Sequence, residues 1–363
     1  MHLAVLLDRW HPHGGGLEVY LSHVLPALVA RGHEVHLLAR DATQGTPEGV
    51  EAVEVRRALP RPWRDRAEAA AQRRQVRALG VDAVLSLRAV PSPGAAFLPM
   101  GGSAPQVRAA RGAGRPGYRE RVLLALEEAT LREASLVLPS SPKVAAEIAA
   151  RRPSVRSELL PLPLLRPPGA LRPPPMDAPD APLRVVACGR DALRHGAAPA
   201  LAWFRALRRQ RPRARLDLWG KSLRHLERCL GAGALELTRE GVVLHGWEDD
   251  FPAALREADL LLHPTLYDSF SLVCLEAVAA GVPVVTTEAA GAAALLAGPL
   301  LATASRTDPE GAAAAMLALL AQAADTAGSG WRDAVEEVRE RFALDAHVRR
   351  LESLLPGTAP PAR

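Results

Sequence analysis

The stretch PLPLLRPPGALRPPPMDAPDAP, Pro161 to Pro182, constrains the layout of the chain more than any other feature. Proline removes the backbone donor that a helix interior or a central strand requires, so neither element runs through it. Such a composition makes an extended linker, assigned here to residues 166–182. A chain of 363 residues is also longer than one core usually fills. The expectation is a first domain over 1–165, a second over 183–345, and a helix end and tail over 346–363.

Both sides of the linker alternate strand and helix signals. The first forty residues read as a strand (HLAVLLD), a loop (RWHPHGGG), a helix from about Leu17 to Arg31 and a second strand (HEVHLLAR). Leu17, Tyr20, Leu21, Val24, Leu25 and Leu28 fall on one helical face, Gly32 follows as a cap, and Pro26 predicts a kink. That is a βαβ unit, which implies parallel pairing. VDAVLSL and SLVLPSS predict further strands, the latter followed by a helix from Pro142. Past the linker, strands are expected at LRVVACG, RLDLWG, GVVLHG, DLLLHPT and PVVTT, with helices between them, near Pro309 to Ala324, and from about Gly330 to Leu354. The fold class is α/β, with two Rossmann-like, doubly wound domains.

Hydrophobic residues make up 48% of the chain, which excludes a disordered protein. No apolar run is long enough to cross a membrane, and MHLAVLLDRW meets an acid too early for a secretory leader, so a cytoplasmic protein is expected. Cys188, Cys229 and Cys274 lack metal-ligand spacing and read as small core residues. The basic excess is almost all arginine, since Lys143 and Lys221 are the only lysines. It clusters in Arg56 to Arg66 and Arg108 to Arg121, around Trp63 and Tyr118. An anionic surface at the inner face of the cytoplasmic membrane and a solvated basic face are both open readings of those clusters. No nucleic-acid partner is expected.

One segment carries chemistry. In LYDSFSLVCLEAVAAGVPVV, Leu266 to Val285, two acids stand eight positions apart in an otherwise apolar run. Serines beside Phe270 are candidate caps for a helix reaching Ala280, with Gly281 ending it. Asp268 then precedes the helix, and Glu276 stands about 7 Å along its axis. The first turn offers N–H groups at Phe270, Ser271 and Leu272 to a diphosphate. A sugar on one side would meet Asp268, and a ribose on the other would meet Glu276, because a carboxylate accepts from two neighbouring hydroxyls. Either acid alone reads more readily as a helix-terminus or exposed helix residue. An unpaired acid in a helix apolar almost all round is costly, which favours a ligand.

The segment ADLLLHPTLYDSFSLVCLEAVAAGVPVVTTEAAG resembles the donor-site signature of family 4 retaining glycosyltransferases of the GT-B fold, including those that build lipopolysaccharide core and similar envelope glycans. The family pattern is E-x7-E, with Asp268 here in the first place. The resemblance implies that HPHGGGLEVY is a glycine loop whose backbone, at Gly15 and Gly16, approaches the donor diphosphate. It places Arg194 in a basic pair for that diphosphate, with His195 where lysine is common, and makes Lys221 a further phosphate contact. Trp247, in LHGWEDD, would stack on the base. Asp268, Glu276, Arg194 and Lys221 are the implied catalytic set. The implied reaction moves a sugar from a nucleoside-diphosphate sugar to a glycan or lipid-linked hydroxyl with retention, with no metal and no cofactor beyond the co-substrate.

Two departures stand out. No histidine or acid occurs between Val90 and Arg108, where many members carry one facing the reacting sugar, and PLPLLRPPG lacks the usual Asn-Gly-Val-Asp turn. The first of these, with His195 in the lysine place, keeps open a noncatalytic subunit that binds a nucleotide sugar or a partner. A nicotinamide oxidoreductase needs a G-x-G-x-x-G turn, which HPHGGGLEVY does not supply.

Overall fold

The computed structural model describes residues 1–11, 14–55, 59–60, 63–112, 114–171, 180–246, 250–296, 298–325 and 329–355. The chain divides into two compact units, one formed by 1–165 with 342–363 and the other by 166–341.

The first unit holds a six-stranded sheet of β1 (His2–Arg9), β2 (Glu34–Arg40), β3 (Val50–Glu54), β4 (Ala83–Ser86), β5 (Ala96–Phe97) and β6 (Leu136–Val137), in the order β3-β2-β1-β4-β5-β6. The second repeats that order with β7 (Leu183–Gly189), β8 (Ala214–Gly220), β9 (Val242–His245), β10 (Leu260–His263), β11 (Val284–Thr286) and β12 (Leu301–Thr303), arranged β12-β11-β10-β7-β8-β9. Every strand pair is parallel. Each unit is therefore a doubly wound α/β sheet whose order reverses at one point, between β1 and β4 or between β7 and β10.

Sheets covered on both faces need strands apolar throughout. Leu3 to Leu7 in β1 and Leu260 to Leu262 in β10 are buried accordingly. In the second unit helix Ala197–Gln210 lays Leu201, Trp203, Phe204 and Leu207 into a core that Met316, Leu319 and Leu320 of helix Pro309–Asp325 complete. The first helix, Gly16–Ala30, runs through Pro26 and buries Tyr20, Leu21, Val24, Leu25 and Leu28.

Several elements differ from the sequence reading, helix Tyr118–Glu133 and strands β5 and β12 among them. The final helix expected over Gly330 to Leu354 is two helices, Ser329–Arg341 and Leu344–Leu354, and the first of them lies in the second unit. The break falls at Phe342, which is buried and whose carbonyl accepts from Leu164 N–H at 2.8 Å. Strand β3 and helix Trp63–Leu79 were not expected at all.

Helix Leu344–Leu354 is fixed in the first unit by a buried polar chain. His347 Nδ1–H donates to Pro161 O at 2.8 Å, which leaves Nε2 to accept from Tyr20 Oη at 2.9 Å. Burial, partly offset by the Pro161 carbonyl, pushes the His347 imidazole down to about 4. The unfolded chain therefore holds a proton that the folded chain refuses between about pH 6.5 and about pH 4. The stabilisation is complete above the unfolded value and shrinks as pH falls, by about 2 kcal/mol between pH 7 and pH 5. Thermal unfolding of His347→Gln should lose that part of the pH dependence; an unchanged pH slope would rule out His347 as its source.

Candidate functional site

In open α/β sheets ligands bind outside the carboxyl ends of the strands where the order reverses. In the second unit that crevice lies beyond β10, β7 and β8, and three loops build it.

The loop after β10 carries Asp268. Its backbone is pinned both ways, with N–H donating to Ala289 O at 3.0 Å and C=O accepting from Gly291 N–H at 2.9 Å. Its Oδ1 accepts from the N–H groups of Phe270 at 3.3 Å and Ser271 at 3.0 Å. Asp268 thus holds the turn that leads into helix Leu272–Ala279. Ser271 stands at the N-cap position without a side-chain cap bond, at φ +75 and with its hydroxyl buried. The expectation that Phe270 and Ser271 offer their N–H groups to a diphosphate is corrected here, because Asp268 holds both. Leu272 starts the helix itself.

Electrostatics keep Asp268 ionised. Burial works against its charge, but the contact of its Oδ2 with His263 Nε2 at 3.4 Å and the positive charge of Arg194 outweigh it, holding the carboxyl well below the usual range. The side chain keeps 18% exposure, so it still faces outward.

Glu276 lies one turn further along the same helix, among buried Cys274, Leu275, Ala277 and Val278. Burial pushes its carboxyl up, and Arg166, with Nη1 at 3.7 Å from Oε1, pulls it back. The far end of the helix is fixed by Arg339, whose Nε–H donates to Ala279 O at 2.8 Å, and by Gly281 at φ +81 against Trp331.

The loop after β7 carries Arg190, Arg194 and His195. Asp191 caps the short helix Ala192–His195, and Gly196 follows at φ +83, so close to the loop after β10 that a Cβ would lie 2.1 Å from Pro264 O. Arg194 bridges the two loops: Nη1–H donates to Tyr267 O at 3.0 Å, and its carbonyl accepts from Leu266 N–H at 2.7 Å. Its Nε also lies 3.7 Å from Asp191. Arg194 therefore holds the Asp268 loop in place. His195 packs over Gly189, where any Cβ would meet its ring. Burial first, then the neighbouring His263 and Arg194, push this imidazole down to about 3, so the ring in the lysine position is neutral at pH 7.

The exposed cations at this edge are others. Gly189 and Gly220 are register partners at the ends of β7 and β8, so Arg190 and Lys221 leave the sheet side by side. Adjacent strands lie about 4.8 Å apart, close enough for both to reach one diphosphate. The sequence reading passed over Arg190; the signal that finds it is the glycine ending each strand.

At the ends of β8 and β9, Trp219 stacks on His245 at 4.1 Å and meets the ring of Phe251 edge-on at 5.3 Å. His245 Nε2 lies 2.8 Å from Asp217 Oδ1. Trp247, the expected base contact, lies outside the described residues. The second unit thus assembles Arg194, Lys221, Asp268, Phe270, Ser271, Leu272 and Glu276 along one sheet edge. Gly15 and Gly16 belong to the first unit, where Gly15 N–H donates to Glu18 Oε2 at 2.8 Å at the start of helix Gly16–Ala30.

Two family models match the chain, the glycosyl transferase 4-like domain over residues 15–164 and the domain described as glycosyl transferases group 1 over residues 182–322. Among solved structures, the chain is similar to WaaG, a glycosyltransferase involved in lipopolysaccharide biosynthesis, at 19% identity and a TM-score of 0.75, covering 98% of this chain and 100% of that one. It is similar to a sucrose-phosphate synthase from Thermosynechococcus elongatus at 20% identity and a TM-score of 0.73, over 97% and 98%. HepE from Anabaena, solved with UDP and glucose, matches at 17% identity and a TM-score of 0.68, over 97% and 98%. No curated protein matches by sequence.

Proposed function

The chain belongs to the glycosyltransferases of the GT-B fold, and from that premise we propose that it moves a sugar from a nucleoside-diphosphate sugar to a hydroxyl of a glycan or glycolipid, with retention at the anomeric carbon. The observation that carries this reading is the paired departure of Arg190 and Lys221 from β7 and β8 beside the Asp268 turn.

As the bond between the anomeric carbon and the phosphate oxygen breaks, negative charge grows on the departing β-phosphate and positive charge on the sugar ring. Arg190, Lys221 and the N–H of Leu272 stabilise the first, an electrostatic role like that of an oxyanion hole. Asp268 accepts from hydroxyls of the sugar, Glu276 from those of the ribose, and Trp247 stacks on the base. The acceptor oxygen attacks from the leaving-group face, its proton passes to the departing phosphate, and no protein base is needed. No cofactor beyond the co-substrate enters this scheme. HepE was solved with UDP and glucose and WaaG acts in lipopolysaccharide biosynthesis, which supports a nucleotide-sugar donor and an envelope glycan acceptor.

The test is release of nucleoside diphosphate from a panel of nucleotide sugars by the purified chain. Binding of a donor, seen as a thermal shift, without release in the presence of any acceptor would favour a second reading, a noncatalytic subunit. The neutral, half-buried His195 in the lysine position motivates that alternative.

We place the protein in the cytoplasm, peripheral at the inner face of the membrane. Among the described residues no helix is long and apolar enough to cross it. Trp63 and Tyr118, 55% and 44% exposed, stand with ring centroids 5.7 Å apart, and the Arg121 guanidinium lies 5.8 Å from the Tyr118 ring. Arg108 and Arg119 of the same cluster are paired with Glu120 and Asp65, while Arg56, Arg57 and Arg61 lie outside the described residues. Sedimentation with anionic vesicles should therefore be strong at low salt, weak at high salt and reduced in Trp63→Ala. Binding indifferent to salt would remove the arginines as its cause.

A further inference from the structure

A second cluster of ligating side chains lies in the first unit, at the amino ends of β1, β2 and β3. This is the opposite edge of that sheet from its switch-point crevice. Parallel register brings the cluster together: His2 pairs with Glu34, and His36, two residues along β2 on the same face, pairs with Glu51. His2 Nε2 contacts Glu34 Oε2, and Glu34 Oε1 lies 3.5 Å from His36 Nε2. One ligand atom from each of His2, Glu34 and His36 lies within 4.8 Å of the others. The backbone of His2 is itself fixed, its N–H donating to Asp82 Oδ2 at 2.7 Å.

His36 gives the cluster its meaning. Its side chain is 5% exposed, yet neither ring nitrogen makes a hydrogen bond among the described residues. Both nevertheless face carboxylates, Nε2 towards Glu34 and Nδ1 towards Glu51 Oε2 at 3.1 Å. A buried polar ring left without a hydrogen-bond partner is costly. A histidine that ligates through Nε2 and leans on a carboxylate through Nδ1 is the arrangement that fixes a metal ligand's tautomer and orientation.

We propose that His2 Nε2, His36 Nε2 and a Glu34 oxygen bind a divalent transition cation of the zinc class, with Glu51 orienting His36 from behind and water in the fourth position. Two imidazoles and one carboxylate suit zinc, cobalt, nickel or copper, and disfavour magnesium and calcium, which take oxygen ligands. Such an ion would clamp the start of β1 to β2. It plays no part in the sugar-transfer scheme, whose residues lie in the second unit apart from Gly15 and Gly16.

The full chain, stripped with chelator, is titrated with Zn²⁺ in a calorimeter and with Co²⁺ by visible absorption. The expected result is one ion per chain, a tetrahedral Co²⁺ spectrum and a thermal midpoint raised by Zn²⁺ but not by Mg²⁺. The double variant His2→Gln, Glu34→Gln, made at exposed positions that leave the fold intact, should abolish that site. Glu51→Gln should keep the stoichiometry and weaken affinity about ten- to a hundredfold. Absence of binding, or stoichiometric binding unchanged in the double variant, would overturn the assignment. Neither outcome depends on whether the chain transfers sugar.

Discussion

Asp268→Asn is expected to lower kcat/KM for nucleoside-diphosphate release about ten- to a hundredfold while leaving the thermal midpoint close to that of the parent. The asparagine Oδ1 still accepts from Phe270 and Ser271 N–H, so the turn that starts helix Leu272–Ala279 survives. What it lacks is the charge, and a hydrogen bond from a sugar hydroxyl to a charged acceptor is worth about 1.5–3 kcal/mol. Asp268→Ala also removes the acceptor of the Phe270 and Ser271 N–H groups, at about 1–3 kcal/mol, or a few degrees in the thermal midpoint. The two variants separate the sugar contact from the scaffold role. If Asp268→Asn turned over donor like the parent while Asp268→Ala did not, Asp268 would serve that turn alone.

This dual use of Asp268 was only half legible in the sequence. The eight-residue spacing to Glu276 and the apolar surroundings point to a ligand. They do not show that Asp268 consumes two of the N–H groups read as phosphate donors. That depends on Ser271 adopting φ +75, a left-handed conformation unusual for a residue with a Cβ. No local propensity predicts it; the tie of Phe270 O to Ala292 N–H at 2.6 Å, and of Asp268 to Ala289 and Gly291, holds the turn there.

The fold divides along the same line. Strands buried on both faces, such as β1, β7 and β10, announce themselves as apolar runs. Strand β3 does not, because VEAVE is a polar edge strand. Helix Trp63–Leu79 is concealed differently: its buried face includes Asp65, Glu68 and Gln72, which read as solvent residues. Arg40, Arg64 and Arg88 surround Glu68, Arg119 pairs with Asp65, and Gln72 Nε2–H donates to Leu7 O and Leu38 O at 2.8 Å. Partners from distant elements make a polar stripe a core face, and hydrophobic periodicity does not register them. The break at Phe342 is likewise tertiary, with no glycine or proline to mark it.

The same limit governed the choice of arginine, and it leads to the second large effect. Lys221→Ala and Arg190→Ala should each lower donor turnover about 10²- to 10³-fold, the loss typical of one preorganised group that stabilises a developing oxyanion. Lys143→Ala is the control: Lys143 pairs with Glu147 on a helix of the first unit, and its removal should leave turnover within about twofold, since a surface pair contributes at most about 1 kcal/mol to stability. Arg194→Ala should behave differently from all three. Its guanidinium is committed to Tyr267 O and its carbonyl to Leu266 N–H, so truncation loosens the Asp268 loop and lowers the thermal midpoint along with turnover. Salt distinguishes the cases further, because charges at an exposed edge are screened and a buried tie is not. Equal losses in Lys221→Ala and Lys143→Ala would remove Lys221 from the phosphate site. A parent-like midpoint with full loss of turnover in Arg194→Ala would instead return Arg194 to direct contact with the diphosphate.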